Sequence, residues 1–170
     1  MGAPPIENAT AGRANSEGIR HLYLASDKNT VISEIRPSIS DNVYIGKFPI
    51  KDKLKVVDFR NLNTLNVFSF TDPVMYAVNL EILDSMNKAI AKPVRSGDSK
   101  LDYLSTQFLV DFIKSLNEND SYDYDGIVYD STLSTSGYNL MIFEPELLEC
   151  TKVEKNIIQV LNYSHVVSEL

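Results

Sequence analysis

The chain has 170 residues, 44% of them hydrophobic and 23% charged, enough for one globular domain with a buried core and too few for two. Its formal charge of −7 opposes direct binding to nucleic acid or to an anionic membrane, because like charge repels both and no local basic patch overrides it. A lone cysteine, Cys150, excludes an intramolecular disulfide. With no signal-like start and no apolar run near the roughly 20 residues of a membrane helix, a cytoplasmic protein is expected.

Residues 1–11 contain Gly2, Pro4 and Pro5 without an apolar period and predict an irregular lead-in. Gly12, Asn15 and Gly18 then bracket Arg13 in a turn-rich loop. Ile19, Leu22, Leu24 and Ala25 make a short apolar run with Tyr23 in its middle, which predicts a strand. Asp27, Thr30 and the apolar residues Val31, Ile32 and Ile35 predict a helix over 28–36 that Pro37 stops. Val31, Ile32 and Ile35 define its expected buried face, with Glu34 at the margin about 60° from Val31. Ser26, at the strand's end, is placed to cap this helix.

Beyond Pro37, Val43, Ile45 and Phe48 alternate with polar neighbours, as do Leu54 and Val56, and these two strands are expected to pair with each other. An asparagine-rich connection over Asn61–Ser69 leads to Thr71, Asp72 and Pro73, a good helix start. That helix runs to about Ile90 with Met75, Val78, Ile82, Met86 and Ile90 on one stripe. After a loop over Ala91–Lys100 carrying Pro93, Arg95, Ser96 and Gly97, a second helix shows the stripe Leu101, Leu104, Phe108, Phe112 and Leu116. Both stripes are expected in the core. An acidic turn over Asn117–Gly126 precedes strands at Gly126–Tyr129 and Tyr138–Phe143, which flank a polar loop holding Ser131. The run Ile157, Ile158, Val160 and Leu161 suits a sheet-closing strand or a helix. Strands and helices do not alternate regularly, so the fold class is α+β.

Familiar chemistry is mostly excluded: GxGxxG, GxxxxGK, GxSxG and HExxH are all missing. His21 and His165 with one cysteine make a poor zinc set, so no metal is expected, and His21 reads as a strand residue. A calcium-loop reading of Ser121–Thr132 fails at its first and twelfth ligands. On spacing alone Glu34 is a surface partner of Arg36 or Lys28, Tyr23 a core aromatic and Arg13 a solvated loop charge.

The ordered blocks GRAN (12–15), LYLAS (22–26), SEIRP (33–37), PVRS (93–96), YLSTQF (103–108), DGIVYDS (125–131) and GYNLMIF (137–143) resemble the RES domain family over most of the chain. That resemblance implies an ADP-ribosyltransferase-like split, twisted sheet with flanking helices. NAD would be its substrate, with no separate cofactor. It also implies the toxin half of a toxin–antitoxin pair, restrained by a helix-turn-helix antitoxin over the cleft, with a homo-oligomer compatible. Carried onto matching positions, Glu34 would stabilise the ribose cation, Arg13 grip the pyrophosphate, Tyr23 stack on or bond the substrate, and Ser131 hydrogen-bond it. Ser26, Asn15, Gln107, Tyr138 and Asn139 would be further substrate contacts. The resemblance also implies the usual earlier strand with another arginine upstream of the GRAN block, which this chain is expected to lack. Two rival expectations follow: transfer of ADP-ribose to a protein, and a catalytically silent binding module.

Overall fold

The computed structural model describes residues 1–60, 72–92, 100–119, 124–134 and 136–159. Among the described residues six strands and three helices fold in the order β1 (Leu22–Ala25), α1 (Lys28–Ile35), β2 (Asn42–Lys47), β3 (Val56–Asp58), α2 (Pro73–Ala91), α3 (Leu104–Asn119), β4 (Gly126–Asp130), β5 (Tyr138–Ile142) and β6 (Lys152–Ile157). Single 3-10 turns lie at Ile6–Asn8, Lys100–Tyr103 and Pro145–Leu147. The α+β class read from the sequence is what the chain adopts.

A four-stranded sheet has the order β1-β5-β4-β3, antiparallel except for the parallel β3–β4 pair, and β2 and β6 form a separate antiparallel ribbon. The expected pairing of β2 with β3 is therefore wrong. Alternation shows that each segment is a half-buried strand and does not encode its partner, which for β2 lies more than a hundred residues away. Ile157 ends β6, whereas Val160 and Leu161 lie outside the described residues. So do Asn61–Ser69 and the PVRS block, including Arg95.

Strand alternation divides the core. Ile127, Tyr129, Met141 and Phe143 face α2 and α3 and pack with Ile90, Val110 and Ile113, while Val128, Leu140, Ile142 and Leu22 pack with Leu148 and the half-buried Phe48 on the other side. The register sets Tyr23 opposite Met141 and Tyr129 opposite Asn139, so Tyr23, Tyr129 and Asn139 share the helix-covered face.

Both expected helix stripes need correction. On α2 only Ile90 is buried and Met86 half-buried, whereas Met75, Val78 and Ile82 are more than half exposed. On the second helix Leu101, Leu104, Phe108 and Phe112 point outward, Phe108 at 72% exposure, and Leu116 is half-buried. The buried side carries Tyr103, Thr106, Val110 and Ile113, a stripe of the same period turned to the opposite side.

The first helix also departs from expectation. Asp27, not Ser26, caps it: the Asp27 carboxylate accepts from the backbone N–H of Asn29 and Thr30, at 2.9 and 3.0 Å. The Ser26 hydroxyl instead donates to Asp27 and accepts from the Tyr138 N–H. Thr30 is fully buried, while Val31 and Ile32 are half-buried and Ile35 is exposed. The helix ends with Arg36 in the left-handed region at φ 48°, and Pro37 follows.

Thr30 packs against Gly137 so closely that an added Cβ there would lie 2.8 Å from the Thr30 Cβ. Gly137→Ala is expected to cost about 1–3 kcal/mol through overpacking, measured as a lowered midpoint in urea unfolding. An unchanged midpoint would mean that α1 can move away from β5 freely.

Candidate functional site

The site is built on a loop that is fastened from several sides. Gly18, at φ +82°, takes a left-handed turn that suits glycine, and its N–H donates to Ala9 O. Gly12 and Asn15 form a small bridge, with the Gly12 N–H 2.9 Å from Asn15 O. Asn15 is buried, and its amide donates to Thr10 O and Ile19 O at 2.9 and 3.1 Å. Its side-chain oxygen accepts from the Tyr23 hydroxyl at 2.9 Å. From α3, the Gln107 amide donates to Gly12 O at 2.7 Å and Asn15 O at 3.1 Å, and the Thr106 hydroxyl bonds Arg13 O.

Arg13 is not a solvated loop charge. Its Nη1 donates to Ala89 O at 3.1 Å, and its guanidinium lies 5.2 Å from the centre of the Tyr103 ring. Glu34 is likewise engaged, because its Oε1 accepts from the Ser131 hydroxyl and the Asn139 amide, both at 2.7 Å. The two donors are neutral, so among the described residues the carboxylate is oriented without an ion pair.

Arg13, Asn15, Tyr23, Glu34 and Asn139 line one cavity of about 380 Å³. Ser131 reaches it through Glu34, and Gln107 stands behind the loop. Ser26 and Tyr138 line a separate groove of about 700 Å³ whose wall shares only Tyr23 with the first. Tyr138 there lies beneath the Arg60 guanidinium, 4.2 Å from the ring centre, and Arg60 is itself held by Asp58.

Sequence reasoning missed Tyr129, Tyr103, Arg20 and the cavity role of His21. Tyr129 was detectable, since it stands two residues before Ser131 and so on the same side of β4. Burial raises its hydroxyl pKa, with Tyr23 and Glu34 adding to the effect. Burial raises the Tyr23 hydroxyl too, although the residue is 48% exposed, because the hydroxyl turns inward to Asn15. Both phenols are therefore protonated donors at neutral pH. Among the described residues no cluster of histidine, cysteine and acidic side chains could hold a metal, and no helix is long and apolar enough to cross a membrane.

His21 is 3% exposed, its Nδ1 lies 3.1 Å from Phe143 O, and burial lowers its pKa from 6.5. The native state thus resists a proton that the unfolded chain accepts, so stability is full above pH 6.5 and falls as pH drops from there toward the folded pKa. Stability is expected to fall as pH drops below about 6.5, by at most about 1.4 kcal/mol per pH unit. His21→Gln should flatten this slope in pH-dependent urea melts. An equally steep slope in that variant would remove His21 as the cause.

No curated protein and no solved structure matches the chain. A family model, the RES domain, matches residues 2–163 and so spans the loop, both walls of the cavity and the strands beneath them. The chain belongs to the RES domain family.

Proposed function

We propose that this protein cleaves the nicotinamide–ribose bond of NAD and passes ADP-ribose to water or phosphate. The observation that carries the reading is the oriented Glu34 carboxylate in the same cavity as Arg13. Membership of the RES family supports an ADP-ribosyltransferase-like or toxin-like role at the family level.

The chemistry asks little of an acid. As the C1′–N bond breaks, its electron pair leaves with nicotinamide, which departs neutral, and positive charge develops on the ribose. A fixed carboxylate stabilises that charge, and Ser131 and Asn139 hold Glu34 in place before substrate arrives. Water or phosphate oxygen then bonds C1′; water releases its proton to solvent. Arg13 offers the planar fork that suits a diphosphate, and the stack on Tyr103 together with the bond to Ala89 limits its freedom. Tyr23 presents a half-exposed ring to the nicotinamide end, and Asn139 and Ser131 act as positioning residues. A cavity of about 380 Å³ suits the reacting end of the dinucleotide, with the rest toward its mouth.

Such an activity would deplete the cytoplasm that houses it. A protein inhibitor, in this reading a helix-turn-helix antitoxin seated over the cleft, would restrain it until release. Transfer to a protein acceptor uses the same first step and differs only in the nucleophile.

Glu34→Gln tests the core of the proposal. The glutamine carbonyl can still accept from Ser131 and Asn139, so the melting temperature should change little. Nicotinamide release from NAD should fall by at least about 10²-fold, as when preorganised charge stabilisation is removed. Unchanged release in the variant, or none in the parent protein, would defeat the enzymatic reading.

A further inference from the structure

Arg20 closes the loop that carries Arg13 and lines the same cavity. Its Nη2 meets Glu146 Oε1 at 2.5 Å. Glu146 belongs to the 3-10 turn Pro145–Leu147 just after β5, 126 residues along the chain. The two partners differ in surroundings: the Arg20 side chain is 30% exposed and the Glu146 side chain 64%. Arg20 is thus a partly buried residue of the cavity wall, and the Glu146 side chain lies largely in solvent.

An ion pair with one partner this exposed is weak enough for a better anion to displace it. Charge in the cavity points to what that anion is. Among the described residues Arg13, Arg20 and Lys92 line it against one acid, Glu34, and His21 stays neutral because burial lowers its pKa. A diphosphate carries an anionic oxygen on each phosphorus, and Arg13 supplies one fork. Lys92, exposed at the end of α2, presents a flexible ammonium in place of a second fork.

We propose that Arg20 is the second anion-binding residue of this cavity, taking a phosphate oxygen of the diphosphate in exchange for Glu146. Glu146 acts as a resident competitor that occupies the guanidinium when no ligand is bound. The assignment rests on the NAD reading above for the identity of its ligand. Its geometry rests on the position of Arg20 in the cavity wall and on the solvent-facing carboxylate opposite.

The two members of the pair give effects of opposite sign, which a purely structural tether would not. Arg20→Gln should weaken ADP-ribose binding by calorimetry and raise KM for NAD, each about tenfold, the loss of one charge-assisted contact, with kcat within about twofold. Arg20→Lys should lie between the parent and Arg20→Gln. Glu146→Gln should tighten ADP-ribose and lower KM by a few-fold, and this gain should vanish in the double variant. Nicotinamide riboside, which lacks the diphosphate, should bind parent and Arg20→Gln alike. Equal weakening by Arg20→Gln and Glu146→Gln, or no change in either, overturns the proposal. Should the parent protein release no nicotinamide yet bind ADP-ribose in an Arg20-dependent way, the catalytic reading falls and this one stands. Absence of ADP-ribose binding by the parent overturns it.

Discussion

The structure depends on how one carboxylate is held. Glu34 lies on a helix of only two turns, and the bonds from Ser131 and Asn139 tie that helix to the ends of β4 and β5. Neutral donors matter here. An arginine in their place would cancel the charge locally, whereas a hydroxyl and an amide orient the group and leave its field intact. The same helix is fixed at its start by Asp27 and at its middle by Thr30 against Gly137, so the carboxylate is positioned from three directions.

The opposite wall is organised by different means. The loop of Arg13 has almost no regular structure, and its order comes from buried side-chain amides that replace a ladder. Asn15 bonds backbone within the loop and the Tyr23 hydroxyl, and Gln107 bonds two loop carbonyls from α3. Each is a polar group whose burial is offset by bonds the backbone needs anyway. Asn15 and Gln107 thus combine a structural necessity with the placement of the guanidinium, and Tyr23 couples the loop to β1 through one hydroxyl.

Much of this was legible in the chain. Asp27, the apolar run after it and Pro37 delimit α1 to within a residue, and the patterns around Tyr23 and Gly126 locate β1 and β4. The ordered blocks brought Arg13, Tyr23, Glu34 and Asn139 into one proposal, and the cavity brings them into one place. Other features were not readable for physical reasons. Helical period finds an apolar stripe but cannot choose between two, and α3 carries one of large residues outward and one of smaller residues inward. Alternation does not name a strand's partner, hence the error over β2 and β3. Tyr103 enters the site by stacking under Arg13, a contact between residues 90 positions apart that no local pattern records.

The negative charge of the whole chain opposes the proposed anionic ligand at long range, and distance resolves the conflict. At physiological ionic strength exposed charges are screened over about 8 Å, so acids elsewhere on the surface contribute little at the bottom of a cleft. Among the described residues, what a ligand meets there is the local set of Arg13, Arg20 and Lys92 with one carboxylate. In the proposed reaction that carboxylate is unfavourable to phosphate and favourable to a ribose cation, so the two signs would serve different ends of one molecule. A cavity with cations alone would bind a diphosphate tightly and do nothing at C1′; one with the carboxylate alone would repel the substrate. Glu34, on α1, and Arg13, on the loop before β1, are held by different partners, so in the proposed reaction each would act on its own end of the substrate.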